Sequence, residues 1–217
     1  MQIFRPRANV IARSVLIAGA LLPFLAIGVT YGIMNSSYVT EQEVIKGQPV
    51  PFSHKHHAGE LGIGCLYCHT GVEKSGFAGL PATHICMTCH SQLWTNAAML
   101  APVRESLATN RPIRWNRVNI LPAYVYFNHS VHIAKGVGCS TCHGRIDQMA
   151  LTAQGAPLTM GWCVDCHSDP APNLREPSQV FDMEWQPAPG QDRRGAELMN
   201  ANRINPSRLI ECSTCHR

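Results

Sequence analysis

From Ser14 to Met34 the chain runs through 21 positions without a charge, SVLIAGALLPFLAIGVTYGIM. An α-helix needs about 20 apolar residues to cross a bilayer. Arg5, Arg7 and Arg13 precede the run, and Glu41 and Glu43 are the first charges after it. Positive flanks stay on the cytoplasmic side. The pattern therefore predicts a cytoplasmic N-terminus over residues 1–13, a transmembrane anchor helix over residues 14–36, and all later residues outside. Tyr31 and Tyr38 fall where an interfacial aromatic belt lies. A cleaved signal peptide is the competing reading. The run is longer than a usual signal core and no small-x-small site follows it, so a retained anchor is expected. Pro23 lies mid-span, which membrane helices tolerate. Gly19, Gly28 and Gly32 permit close helix packing.

The rest of the pattern is broken by turn formers. The chain holds 17 Gly and 15 Pro, with only 15% charged residues. That predicts a mostly irregular and α-helical domain of short helices and loops rather than a large conventional core. What fills its interior is indicated by the cysteines. All 10 fall in Cys-x-x-Cys-His motifs: Cys65/Cys68/His69, Cys86/Cys89/His90, Cys139/Cys142/His143, Cys163/Cys166/His167 and Cys212/Cys215/His216. A lone CxxC is a zinc half-site, a dithiol pair or a disulfide. None of these requires a histidine after the second cysteine in every copy. The spacing is the attachment signature of c-type haem, in which two thiols form thioethers and the adjacent His becomes the proximal iron ligand. Five haem c groups are expected, with the chain wrapped around them. Attachment of c-type haem outside the bacterial cytoplasmic membrane agrees with the anchor's orientation.

The formal charge of +4 changes meaning on loading. Each haem adds two propionates, so the filled chain turns net negative and its Arg and Lys become propionate partners. No feature points to nucleic acid.

A second pattern precedes the first and third motifs. Phe52-Ser53-His54-Lys55-His56-His57 and Phe127-Asn128-His129-Ser130-Val131-His132 both read F-x-H-x-x-H. A Gly-x-Gly-Cys opening follows each, and then two haem motifs whose first cysteines are 21 residues apart in one copy and 24 in the other. The expected organisation is a two-haem module over residues 37–110, a linker over 111–126, a second two-haem module over 127–169, and a Pro-rich arm with the fifth haem over 170–217. An electron carrier fills the sixth iron position with a strong ligand. Histidines at i and i+3 lie on one face of a helical turn, so His54, His57, His129 and His132 are the candidate distal ligands. The fifth position stays open between Met149, Met160 and His84. His56 is expected to point away toward a propionate. Trp94, Trp115, Trp162 and Trp185 read as haem-packing aromatics. Arg111, Arg114 and Arg117 form a basic cluster of open purpose, and the Pro-rich arm reads as a segment laid over other subunits.

The paired histidines resemble those of the class III multihaem cytochromes. That resemblance implies that His54 serves the Cys65/Cys68 haem and His129 the Cys139/Cys142 haem, while His57 and His132 reach neighbouring haems. The single anchor, the two F-x-H-x-x-H modules, Met160-Gly161-Trp162-Cys163 and the terminal Cys212-Ser213-Thr214-Cys215-His216-Arg217 together resemble the pentahaem cytochrome c subunit of bacterial alternative complex III. The likeness covers nearly the whole chain. It implies a non-catalytic electron-transfer subunit in the cytoplasmic membrane, with its haem domain in the periplasm. It also implies an iron–sulfur subunit and quinol-oxidising membrane subunits as partners, with electrons leaving to a monohaem cytochrome c or a terminal oxidase. One His/Met haem is usual in that family, which favours a methionine for the fifth position; Met149, on the stretch between two motifs, is taken first, then Met160, then His84.

A membrane-anchored multihaem quinol dehydrogenase feeding a periplasmic reductase is the alternative. Members of that family place a methionine two residues after the first motif histidine; here that residue is Gly71. A catalytic multihaem reductase needs an iron with an open site. The six histidines outside the motifs and the eight methionines are enough to close all five.

Overall fold

The computed structural model describes residues 5–216. The chain divides into one unit up to Gln42 and a second from Glu43 onward. The first unit is the long helix α1 (Pro6–Met34) with the short helix α2 (Ser37–Thr40). α1 begins before the uncharged run because Pro6 suits the first helical turn, where a missing N–H costs nothing. It ends at Asn35, whose side-chain amide donates to the Tyr31 carbonyl at 2.9 Å. The helix is long and apolar enough to cross a membrane, and its apolar side chains are exposed.

The second unit is built from short helices joined by turns: α3 (Cys65–Cys68), α4 (Thr83–His90), α5 (Ala101–Thr109), α6 (His129–Ala134), α7 (Cys139–His143), α8 (Met160–Ser168), α9 (Gln191–Ala201), α10 (Pro206–Leu209) and α11 (Cys212–Cys215). Among the described residues there is no sheet, only isolated bridges such as Val137 with Leu174. This is the irregular, helical architecture that the turn-rich pattern predicts. Its buried apolar residues form small groups. Val50, Leu100 and Val103 pack with Ile113 and Trp115. Leu174 and Val180, each 1% exposed, are the most fully buried large side chains.

The two halves of the internal repeat interlock. Gly59 lies so close to the Asp147 carbonyl that a Cβ there would collide with it. The Lys55 amide donates to the Met149 carbonyl at 3.0 Å, and the His129 amide to the Gly76 carbonyl at 3.3 Å. Arg145 holds the buried Asp147 through paired bonds of 2.8 and 2.7 Å. That pairing keeps the Asp147 carboxyl below its usual range. The Pro-rich segment folds back on its own second module. The Arg175 amide bonds the Gly136 carbonyl at 2.9 Å, and the Cys139 amide bonds the Val180 carbonyl at 3.1 Å.

Candidate functional site

Every CxxC pair lies on a helical turn: in α3, α4, α7, α8 and α11. On such a turn residues i and i+3 share a face, so both thiols of a motif point the same way.

The histidines come together in pairs. His54 faces His69 with ring centroids 6.4 Å apart and planes 9° apart. His129 faces His143 at 6.4 Å and 5°. His57 and His90 are 6.1 Å apart at 60°, and His132 and His167 are 6.1 Å apart at 23°. An imidazole nitrogen binds a first-row metal at about 2 Å, so two rings flanking one ion have centroids about 6 Å apart. Each of the four pairs fits an iron between its rings, and each joins one F-x-H-x-x-H histidine to one motif histidine. Phe52 and Phe127 brace the arrangement, stacking on His57 at 4.4 Å and on His132 at 4.5 Å.

The other ring nitrogens fix the tautomers. The Nδ1 atoms of His57, His69, His129 and His132 lie 2.8–2.9 Å from the carbonyls of Ser53, Gly79, Gly76 and Asn128. Those of His90 and His167 meet the Leu93 and Leu209 carbonyls at 3.2 Å. A carbonyl only accepts, so Nδ1 carries the proton and Nε2 keeps its lone pair for a metal. Burial holds the His54 and His143 imidazoles down at about 4, and it also lowers His132. All three are therefore neutral at pH 7.

The two repeats reach this geometry differently. In the second, His129 and His132 sit on α6, whose start is capped by the Asn128 side chain. In the first, the histidines lie at a wider π-type turn over Lys55–Glu60. The Leu61 amide reaches back to the His56 carbonyl at 3.0 Å. This widening, set where Gly59 meets Asp147, could not be read from the shared F-x-H-x-x-H spacing. His56 lies edge-on to His57, ring centroids 5.4 Å apart, and its Nδ1 meets the Glu60 carboxylate at 3.0 Å.

The motifs also neighbour one another, in an order that is not chain order. Burial raises the Cys68 thiol, and Cys86 beside it adds to the effect. Burial and then Cys65 push Cys139 up to about 11. Burial, Cys166 and Cys163 push Cys142 up to about 12. Burial and Cys215 raise Cys163. The sequence of neighbours is second, first, third, fourth, fifth. The Tyr67 hydroxyl, 2.9 Å from Thr88 Oγ1, ties the first motif to the second. The Tyr126 amide, 2.8 Å from the Cys215 carbonyl, ties the end of the linker to the fifth motif. Cys89 and Cys212, in the two end motifs, are the exposed cysteines.

The three candidates for the fifth distal position lie in different places. Met149 sits beside Gly144, on the stretch that carries Thr152 to the His54 ring. His84 is exposed on α4. Met160 opens α8, 67% exposed, one turn before Cys163. The structure sets the Tyr124 ring 5.8 Å from His216. Sequence reasoning also missed Arg175. It is 3% exposed. Its guanidinium donates to Ser140 Oγ at 3.2 Å and Thr141 Oγ1 at 2.9 Å, both inside the third motif, and lies 4.1 Å over the Trp185 ring. The signal present in the sequence was Gly138: a Cβ there would collide with the guanidinium.

No family model matches the chain. It is 36% identical over 99 residues to the menaquinone reductase multiheme cytochrome c subunit of Nitratidesulfovibrio vulgaris strain Hildenborough. The matched stretch is 45% of this chain and 46% of that protein, so the chain spans less than half the length of this relative. The likeness supports a multihaem c-type cytochrome.

Proposed function

We propose that this chain carries electrons through five covalently attached haems as the pentahaem cytochrome subunit of a membrane quinol oxidoreductase of the alternative complex III type. It would take electrons from an iron–sulfur subunit next to quinol-oxidising membrane subunits. It would give them to a monohaem cytochrome c or a terminal oxidase on the periplasmic side. The observation that supports this best is the set of four histidine pairs at 6.1–6.4 Å.

When bound, haem supplies a one-electron couple; what the protein contributes is ligation, spacing and charge. In this reading the ten motif cysteines hold the porphyrins, and His69, His90, His143, His167 and His216 are the proximal ligands. His54 caps the first motif's haem, His57 the second's, His129 the third's and His132 the fourth's. With both histidines of a pair bound, each of these four irons would have no open position for substrate, which suits a carrier. For the fifth iron, Met160 is taken before Met149, because α8 neighbours the fifth motif and the Met149 stretch backs the first. The apolar helix α1 is the single membrane anchor, with its N-terminus in the cytoplasm.

The likeness to a menaquinone reductase subunit supports a second reading, in which the same haem array delivers electrons toward a membrane quinone. Both readings are tested on the purified complex in detergent. Rapid haem reduction by added quinol, followed at the haem α-band, supports the first. Fast quinone-driven oxidation of pre-reduced haems with negligible reduction by quinol supports the second. Low-temperature EPR tests the carrier assignment itself. Five low-spin ferric haems are expected; a high-spin, CO-binding haem at full loading argues for a catalytic site instead.

A further inference from the structure

The Nδ1 atoms of His57, His69, His90, His129, His132 and His167 all face backbone carbonyls. His54 differs: its Nδ1 lies 3.0 Å from a side-chain hydroxyl, Thr152 Oγ1. The internal repeat shows what that hydroxyl replaces. His129, the counterpart of His54, has its Nδ1 2.9 Å from the carbonyl of Gly76, which lies just after the first motif in the other module. Thr152 occupies the corresponding stretch just after the third motif. Each module thus orients the leading histidine of the other, once through a carbonyl and once through a hydroxyl.

The Thr152 stretch is pinned on both sides. The Met149 carbonyl accepts from the Lys55 amide at 3.0 Å, and the Gln154 carbonyl accepts from the Glu43 amide at 2.9 Å. Ala153 bridges Ile45 between them. The hydroxyl is therefore held in place against the His54 ring, which lies within 9° of parallel to His69.

We propose that Thr152 is a positioning residue for the haem attached at Cys65 and Cys68: its hydroxyl accepts the His54 Nδ1–H, fixes the ring plane and lowers that haem's reduction potential. The proposal rests on His54 being that haem's distal ligand. Ligation through Nε2 requires the proton on Nδ1, so the hydroxyl must accept rather than donate. A ligand imidazole that donates its second N–H is a stronger base toward the metal and favours the ferric state. The angle between two axial imidazole planes also sets the g-anisotropy of a low-spin ferric haem. Both properties report on Thr152 without any assay of activity.

The test uses full-length, haem-loaded protein in detergent. Thr152→Val keeps the side chain's shape and removes the acceptor. It is expected to move one low-spin ferric signal to larger g-anisotropy and to raise one midpoint potential, leaving the other four as in the native protein. Thr152→Ser, which restores the hydroxyl, is expected to return both to native values. Thr152→Ala removes the acceptor without any risk of overpacking and answers the question if the valine variant loads haem poorly. Native spectra and potentials in both hydroxyl-free variants would overturn the proposal, provided that His54→Ala turns one haem high-spin. If His54→Ala leaves five low-spin haems, the ligand assignment itself is wrong.

Discussion

His132 and His167 face one another with ring centroids 6.1 Å apart and planes 23° apart, although they belong to different sequence motifs. The Nδ1 of each is turned to a backbone carbonyl, Asn128 for His132 and Leu209 for His167. The Nε2 atoms are thereby left for a common metal. Replacing His132 by Ala should convert one haem of the loaded protein from low-spin to high-spin and make it bind CO, seen by EPR and by the CO difference spectrum. His56→Ala should change neither, because its ring bonds Glu60 outside the paired set.

In the proposed reading the fifth iron takes a different residue. Met160 shares a turn of α8 with Cys163, whose thiol neighbours Cys215. Met160→Leu is expected to abolish the near-infrared sulfur-to-iron charge-transfer band of the oxidised protein. Met149→Leu should keep it. The reverse result would return Met149 to the fifth iron, and a native protein without the band would promote His84.

Much of this site was legible in the chain. The motifs, the long apolar helix and the F-x-H-x-x-H repeat depend on local spacing, and local spacing survives folding. The pairing of His57 with His90 and of His132 with His167 is long-range, and no spacing dictates it. The widened turn over Lys55–Glu60 was hidden for the same reason: Gly59 packs on Asp147, far away in sequence. Arg175 looked like one charge among many in a Pro-rich stretch. Its burial depends on Gly136 and Gly138 leaving room for it.

Gly155 is a steric prediction of the same kind. A Cβ there would run into the carbonyl of His143, whereas one at Gly161 meets nothing within 4 Å. Gly155→Ala should destabilise the loaded protein by about 1–3 kcal/mol, the usual cost of overpacking. It should also disturb the His143 haem signal. Gly161→Ala should do neither. Denaturant titration followed by haem absorbance gives the first comparison, and EPR the second.

Arg175 is buried, and burial pulls its guanidinium below its usual range. It bonds Ser140, Thr141 and the Asp182 carbonyl while lying over Trp185, and its Nε finds no partner among the described residues. Arg175→Met should lower the potential of the haem at Cys139 and Cys142, since a nearby cation disfavours the ferric form. It should also cost on the order of 1–3 kcal/mol, because the groups it satisfies lose their donor. Arg175→Lys keeps the charge but not the planar fork or the stacking. The potential should therefore stay near native while stability falls. Redox titration and thermal unfolding separate the two effects.

The order of the motifs in space makes the strictest demand. Cys86 neighbours Cys68, Cys65 neighbours Cys139, Cys142 neighbours Cys163 and Cys166, and Cys163 neighbours Cys215. The two end motifs hold the exposed Cys89 and Cys212. Charges in a low-dielectric interior interact strongly at short range and weakly beyond it. Removing an end haem should therefore shift one neighbour's potential and no other. The double variant Cys212→Ala, Cys215→Ala should lose one haem by pyridine haemochrome assay and move only the fourth motif's potential. Cys86→Ala with Cys89→Ala should move only the first motif's. If loss of the fifth haem shifts the first or the second, the linear order is wrong. If each variant behaves as stated, the second and fifth motifs are the ends of the array, and the first and third motifs, which carry the parallel histidine pairs, lie between them.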